Sequence, residues 1–174
     1  MGDEISLARR AAAGDSAAFT SLVRLHEAAV RRFLARLARD CNADDLAQET
    51  FLDAWRSAGA WGGTGSYRSW LFGIAWRRFL AARRAAGRQA ARDHAAWELE
   101  ESGARAPGGA EGSIDIARAL ASLPERERAA ALLCYGEGCT HVEAAEAMGV
   151  PLGTLKSLAA RARTALAATL ENDR

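Results

Sequence analysis

The side chains in this sequence that could do chemistry are arginines, aromatic rings and carboxylates at helical spacing. Phe72, Trp76 and Phe79 stand at i, i+4 and i+7, and Arg83 continues that stripe; Trp70, Arg77 and Arg84 form another. Residues 66–92 contain seven arginines, among them Arg78 beside Arg77, and no carboxylate. Just before them, residues 58–66 hold four glycines and Trp61. Rings interleaved with guanidinium groups suit a nucleic-acid strand whose bases are unstacked, because the rings offer π-faces and the arginines track phosphates. Trp70, Leu71, Ile74 and Ala75 read as core. The lower half of the segment, with its arginines uncompensated, is expected to be exposed and to bind anions.

A second constellation lies near the C-terminus. Val142, Ala145 and Met148 mark an Ala-rich helix, Gly149 a tight turn, and a further helix begins near Leu152. This is the pattern of a helix-turn-helix, whose second helix sets its first residues against base edges in the major groove. Those residues are Gly153, Thr154, Lys156 and Ser157, small, polar or cationic; Arg161 and Arg163 follow, within reach of phosphates. A plain antiparallel helix pair with a solvated face is the alternative. A third constellation is acidic: Asp45, Gln48, Glu49, Leu52, Asp53 and Arg56 share one helix face, opposite an apolar face of Ala47, Phe51, Ala54 and Trp55 that reads as core. The polar face suits either solvent or a basic protein partner.

Catalytic and metal-binding patterns are weak. No Gly-rich phosphate loop follows a strand, there is no strand–helix alternation, and no nucleophile elbow occurs. Cys134, Cys139 and His141 could supply three zinc ligands, but their spacing fits no structural zinc pattern and a fourth ligand is not evident. They read instead as small buried groups around a helix end. His26 falls on an apolar helix face and reads as a core histidine. No enzyme activity, cofactor or metal is expected.

The elements that must position these groups are helices. Phe19, Leu22, Val23, His26, Val30, Phe33, Leu34 and Leu37 recur at spacings of three and four through residues 15–39. Residues 43–57 form a second helix capped by Asn42, and residues 66–86 a third after the Gly-rich loop. Residues 93–113, acidic and Pro/Gly-containing, read as a flexible interdomain linker. Helix returns near Ile114. Pro124 is expected at the first position of a new helix that Gly136 and Gly138 end, and helices over 140–148 and 152–170 follow. The organisation is therefore two small helical domains, 1–92 and 114–174, joined by the 93–113 linker.

Composition agrees. Alanine fills 42 of 174 positions, 22 of the 23 basic residues are arginine, and strand-favouring clusters are scarce, so the fold class is all-α. The net charge of +1 hides an asymmetry: residues 1–97 carry 15 basic and 10 acidic groups, residues 98–174 carry 8 and 12. No apolar run nears the ~20 residues a membrane helix needs, and the start Met1-Gly2-Asp3-Glu4 has no apolar signal core. Three cysteines argue against a disulfide scaffold and for a reducing, cytoplasmic setting.

Four motifs occur together in order: Asp44-Asp45-Leu46-Ala47-Gln48-Glu49-Thr50-Phe51-Leu52-Asp53-Ala54-Trp55, Ser69-Trp70-Leu71-Phe72-Gly73-Ile74-Ala75, Leu123-Pro124-Glu125-Arg126-Glu127-Arg128, and Gly149-Val150-Pro151-Leu152-Gly153-Thr154-Leu155-Lys156-Ser157. The set closely resembles the extracytoplasmic-function (ECF) sigma factors of bacterial RNA polymerase, over about residues 5–88 and 114–170. The resemblance implies a transcription initiation factor that binds core RNA polymerase and promotes promoter melting. It implies that Asp44, Asp45, Gln48, Glu49 and Leu52 face the clamp helices of the largest subunit. Arg77, Arg78, Arg83 and Arg84, with Trp61 and Trp76, would face the minus-ten strand. Thr154, Lys156, Ser157, Arg161 and Arg163 would face the minus-thirty-five duplex, and the second domain would bind the polymerase flap. An anti-sigma factor is a further implied partner. The chain departs from the family's usual pattern at Arg77, where asparagine is common, at Ala81, where an acidic residue is common, and at Leu158, where arginine is common; Leu158 is expected to offer a base only apolar contact. A sigma-fold mimic or antagonist-binding regulator, and a one-component helix-turn-helix regulator, are the alternative readings.

Overall fold

A computed structural model of the chain describes residues 2–38, 42–63, 65–96 and 111–172. Eight α-helices follow one another: α1 (Gly2–Ala12), α2 (Ser16–Leu37), α3 (Ala43–Arg56), α4 (Tyr67–Ala96), α5 (Glu111–Ser122), α6 (Glu125–Ala131), α7 (His141–Met148) and α8 (Leu152–Asn172). A 3₁₀ turn, Ala58–Ala60, follows α3, and a π turn, Leu132–Gly136, continues α6. Among the described residues there is no strand.

Local chemistry sets the helix starts. The Asp15 carboxylate accepts from the Ala17 and Ala18 N–H groups at 3.0 Å, and the same group takes a bond from Arg10. Those bonds, that of Ala18 first, hold the Asp15 carboxyl below its ordinary range. Asn42 caps α3 by accepting from the Asp44 N–H at 3.1 Å. Thr140 and Glu143 form a reciprocal capping box at α7. Two boundaries differ from the sequence expectation. Pro124 is the N-cap of α6, one place before the first helical position. Gly87 does not end α4, which runs to Ala96; one interior glycine costs about 1 kcal/mol, less than a long Ala- and Arg-rich helix supplies. At 30 residues α4 spans about 45 Å. Of the segment read as a linker, residues 93–96 continue α4, 111–113 open α5, and 97–110 lie outside the described residues.

The buried side chains form two clusters. One joins Ala8 and Ala11 of α1, Leu22 of α2, Ala54 of α3, Trp61, and Tyr67, Leu71 and Ile74 of α4. The other crosses the chain's midpoint: Val30, Phe33, Leu34 and Leu37 of α2 and Phe72, Trp76 and Phe79 of α4 share a core with Leu120, Leu133, Ala144, Met148, Leu155 and Leu158. Phe33 meets Phe72 edge-on at 5.2 Å, and Trp76 stacks on Phe79 at 5.6 Å. Each such side chain contributes roughly 1.5–3 kcal/mol by leaving water. The first and second halves are therefore packed against one another, with α7 lying along α4.

Candidate nucleic-acid and protein interfaces

On α3 the amphipathic pattern resolves as spaced. Leu46, Ala47, Thr50 and Ala54 are buried, while Asp44, Asp45, Gln48 and Glu49 are exposed and Leu52 is 53% exposed among them. Asp44 pairs with Arg31 of α2 at 2.8 Å, and Asp45 accepts from the Asn42 amide at 2.9 Å. Between α2 and α3 lies a groove of about 670 Å³, lined by Phe19, Val23, Ala47, Phe51, Leu52 and Trp55, with Glu27, Arg31 and Asp44 as charged members. Trp55 was expected in the core and is not there. It is 36% exposed, lying against Phe19 at 4.9 Å as part of the groove wall.

On α4 the arginines divide into two groups. Arg77 and Arg84 are exposed and make no ion pair among the described residues. Arg78 grips Asp53 of α3 through two N–H groups and reaches Glu49 at 3.4 Å. The bond from Arg78 is the main reason the Asp53 carboxyl lies below its ordinary range. Arg83 donates to Glu125 of α6 at 2.5 Å, and Arg68 to Glu137 at 2.9 Å. The expectation of uncompensated arginines is thus corrected for Arg68, Arg78 and Arg83, whose carboxylates come from other elements, out of view of the local sequence. Trp61 and Trp76 are also corrected in place. They are 6% and 3% exposed, Trp61 packed edge-on to Tyr67 at 5.5 Å and Trp76 in the core shared by both halves, so in this form neither offers a face to a base. Beside them is a cradle of about 200 Å³, whose lining includes Trp61, Ser69, Trp70, Gly73 and Arg77 from the first half and Glu146 and Ala147 of α7.

In the second half, Gly149 adopts the left-handed conformation (φ +64°) that turns the chain from α7 towards α8. Gly153, Thr154, Lys156 and Ser157 then stand exposed at the start of α8, with Arg161 and Arg163 exposed further along it. Arg161 donates to Glu127 of α6 at 2.7 Å. Leu158 departs from expectation. It is 5% exposed and packs in the core with Leu155, Ala159 and Ala162, so it faces away from any duplex. The reason is periodicity: positions 155, 158, 159 and 162 are the inner stripe of the helix. His141 is exposed, and burial raises the thiols of Cys134 and Cys139, the latter to about 11. Both are weak nucleophiles at neutral pH.

Two buried charged side chains that tie the elements together do not stand out from sequence spacing. Arg128 is 4% exposed, and its guanidinium donates to the carbonyls of Leu120, Ala121 and Leu123 and, across the halves, of Leu37 at 3.0 Å. Glu137, with 2% of its side chain exposed, accepts from Arg32 at 2.7 and 2.9 Å and from Arg68. The usable signals were a lone arginine opening the run Arg128-Ala129-Ala130-Ala131-Leu132-Leu133, and a carboxylate between Gly136 and Gly138. Elsewhere His26, 6% exposed, sits 2.9 Å from Glu4 of α1, in reach of a bond when its Nε2 carries the proton. Burial holds the His26 pKa below its ordinary value, with Arg68 adding to the effect and Glu4 opposing it.

Residues 22–89 match the family model described as Sigma-70 region 2, and residues 113–166 the model described as Sigma-70, region 4. The chain is 35% identical over 170 residues to the ECF RNA polymerase sigma factor SigC of Mycobacterium tuberculosis, an alignment covering 97% of this chain and 91% of that one. Among solved structures it is similar to the sigma factor RpoE in complex with the anti-sigma factor NepR from Bartonella quintana, with a TM-score of 0.75 and 30% identity over 90% of this chain and 98% of that chain. It is also similar to CnrH in complex with the cytosolic domain of CnrY, with a TM-score of 0.74 and 26% identity over 99% of each. With both region models in order on an all-helical fold, an exposed acidic helix in the first half and a helix-turn-helix in the second, the chain belongs to the ECF sigma factors of the sigma-70 family, the promoter-specificity subunits of RNA polymerase.

Proposed function

We propose that the chain uses three surfaces in sequence. Asp44, Asp45, Gln48, Glu49 and Leu52 dock on the clamp helices of the polymerase largest subunit. Thr154, Lys156, Ser157, Arg161 and Arg163 hold the minus-thirty-five duplex. Arg77 and Arg84, joined by Arg78, Arg83, Trp61 and Trp76 once their present contacts are released, take the minus-ten strand. Residues 1–92 and 114–174 act as the two working units, the second also meeting the polymerase flap. The chain works in the cytoplasm without catalysis of its own, and an anti-sigma factor restrains it, as NepR accompanies RpoE.

The observation that carries this reading is the α3 face: four exposed polar residues and a half-exposed leucine beside an open apolar groove. An exposed leucine ringed by carboxylates suits a basic amphipathic helix, its charges setting register and its apolar side filling the groove. Reversing Asp45 and Glu49 to lysine tests it. Binding to purified core polymerase at moderate salt is expected to weaken at least tenfold, and unchanged affinity overturns the docking assignment.

A further inference from the structure

Residues 58–66 hold four glycines and a single large side chain, Trp61. Glycine widens the range of backbone conformations, so this loop keeps a fixed shape only where other elements hold it. Its shape matters because Gly62 and Ser66 line the cradle that Trp70, Gly73 and Arg77 complete. The holding groups lie at its two ends. Ala58 at the start is buried, and α1 lies against the 3₁₀ turn there. Tyr67, just past the end, is buried at the centre of a ring cluster, with His26 at 5.8 Å, Trp61 at 5.5 Å and Trp70 at 5.3 Å between centroids.

The Tyr67 hydroxyl and the Trp61 indole N–H are buried without a hydrogen-bond partner among the described residues. Burial, with the Glu4 charge adding to it, pushes the Tyr67 pKa up to about 12, so the hydroxyl stays protonated. Packing therefore locates both rings, and packing transmits any shift of the groups behind them. Behind them stands a polar pair: Oε1 of Glu4 on α1 is 2.9 Å from Nε2 of His26 on α2. To the fully buried core α1 contributes only Ala8 and Ala11, which leaves this pair as its polar tie to the middle of α2.

The charged and titratable groups facing His26 are Glu4 from α1 and Tyr67 and Arg68 from α4, and Arg68 is itself paired with Glu137. Burial outweighs the attraction of Glu4, and Arg68 adds to the effect of burial, so the seated ring resists protonation. A ring uncovered by release of α1 regains an ordinary pKa of about 6.5, and protonation then favours the released form.

We infer that Glu4 and His26 are positioning residues for strand capture: by seating α1 and backing Tyr67 they hold both ends of the Gly-rich loop, and with it the cradle wall beside Arg77. They touch no nucleic acid themselves. Trp61 can swing towards a base while the loop's ends stay held at Ala58 and Tyr67. Charging His26 loosens α1 and frees the loop. This inference rests on the assignment of Arg77 and Trp61 to the minus-ten strand.

The test uses the full-length chain bound to core polymerase, as wild type, His26→Gln and His26→Ala. Glutamine carries no charge at any pH and keeps an N–H that can donate to Glu4; alanine removes the pair. Hydrogen exchange read by mass spectrometry at pH 7.5 follows residues 58–66, with α8 as internal reference. Photocross-linking of a single-stranded DNA 25-mer of randomised sequence, carrying bromodeoxyuridine, reads strand contact on the chain itself. Wild-type cross-linking is expected to fall about threefold from pH 7.5 to 5.5, while His26→Gln stays flat near the wild-type level at pH 7.5. In His26→Ala the loop should exchange about tenfold faster with α8 unchanged, and cross-linking should be low at both pH values. Polymerase affinity should be equal in all three. A pH profile shared by wild type and His26→Gln overturns the inference. So does exchange in His26→Ala that rises equally in the loop and α8, which marks His26 as core packing only. A loosened loop with undiminished cross-linking overturns it too, and leaves the strand assignment standing. Arg77→Ala/Arg84→Ala exposes the other failure: unchanged cross-linking in that variant overturns the strand assignment whatever the loop does.

Discussion

Arg77 and Arg78 are neighbours in sequence and differ in role because their partners differ. Arg78 is tied to Asp53 and Glu49, whereas Arg77 has no ion pair among the described residues and lines the cradle. Replacing Arg78 by alanine is expected to cost about 0.5–1 kcal/mol of stability, the range for a part-exposed pair, while Arg77→Ala and Arg84→Ala stay within about 0.5 kcal/mol. The latter two should instead impair promoter opening once polymerase is bound. Thermal unfolding alongside permanganate footprinting of melted thymines separates the two effects, and normal melting by both would remove them from the strand site. Leu158→Arg is a residue-scale prediction of another kind. A guanidinium forced into the core of α8 should cost about 2–4 kcal/mol rather than alter base preference, readable as a lowered denaturant midpoint. His26 predicts a pH dependence. Because burial keeps its folded pKa below the ordinary 6.5, the unfolded chain takes up the proton first as pH falls. Stability from this site is full above about pH 6.5 and declines below it until the folded form is protonated as well. His26→Gln should flatten the slope of melting temperature between pH 7.5 and 5.5; an unaltered slope assigns the dependence to other groups.

At the scale of elements, much was legible in the sequence because helix periodicity and caps are local. Asn42, Thr140 and Gly149 mark boundaries that hold to within a residue, and the inner and outer faces of α3 separate as spaced, apart from Trp55. The failures share one physical cause, partners distant in sequence. Arg68, Arg78 and Arg83 of α4 look uncompensated because Glu137, Asp53 and Glu125 lie in other elements, and Trp76 looks available because the core that buries it is assembled from helices before and after it in the chain. Helix α1 shows little sequence signal because it buries only a narrow stripe, Ala8 and Ala11 among it. Helix α4 runs on through Gly87, which is exposed with nothing within 4 Å of a Cβ placed there. Gly87→Ala should therefore stabilise α4 by about 0.5–1 kcal/mol, seen as slower amide exchange in its second half. On α8, Lys156→Ala should reduce the salt slope of duplex binding by about 1 and leave melting unaffected. A slope equal to that of wild type would mean that Lys156 meets no phosphate.

For the whole molecule, a net charge of +1 conceals a basic first half and an acidic second half that lie against each other. Across that boundary Glu125 pairs with Arg83 and Glu137 with Arg68, and the polar face of α3 stays exposed. The chain is a subunit that directs RNA polymerase to promoters, and its proposed contacts with the polymerase begin at α3. The most direct test of this role is in vitro transcription with purified core polymerase on sheared genomic DNA from the source organism, with RNA 5′ ends sequenced. Adding the wild-type chain should produce a discrete set of start sites absent from core polymerase alone, and the Asp45→Lys/Glu49→Lys variant should lose them. Start sites that do not depend on the added chain, or that persist undiminished with the double variant, would contradict it.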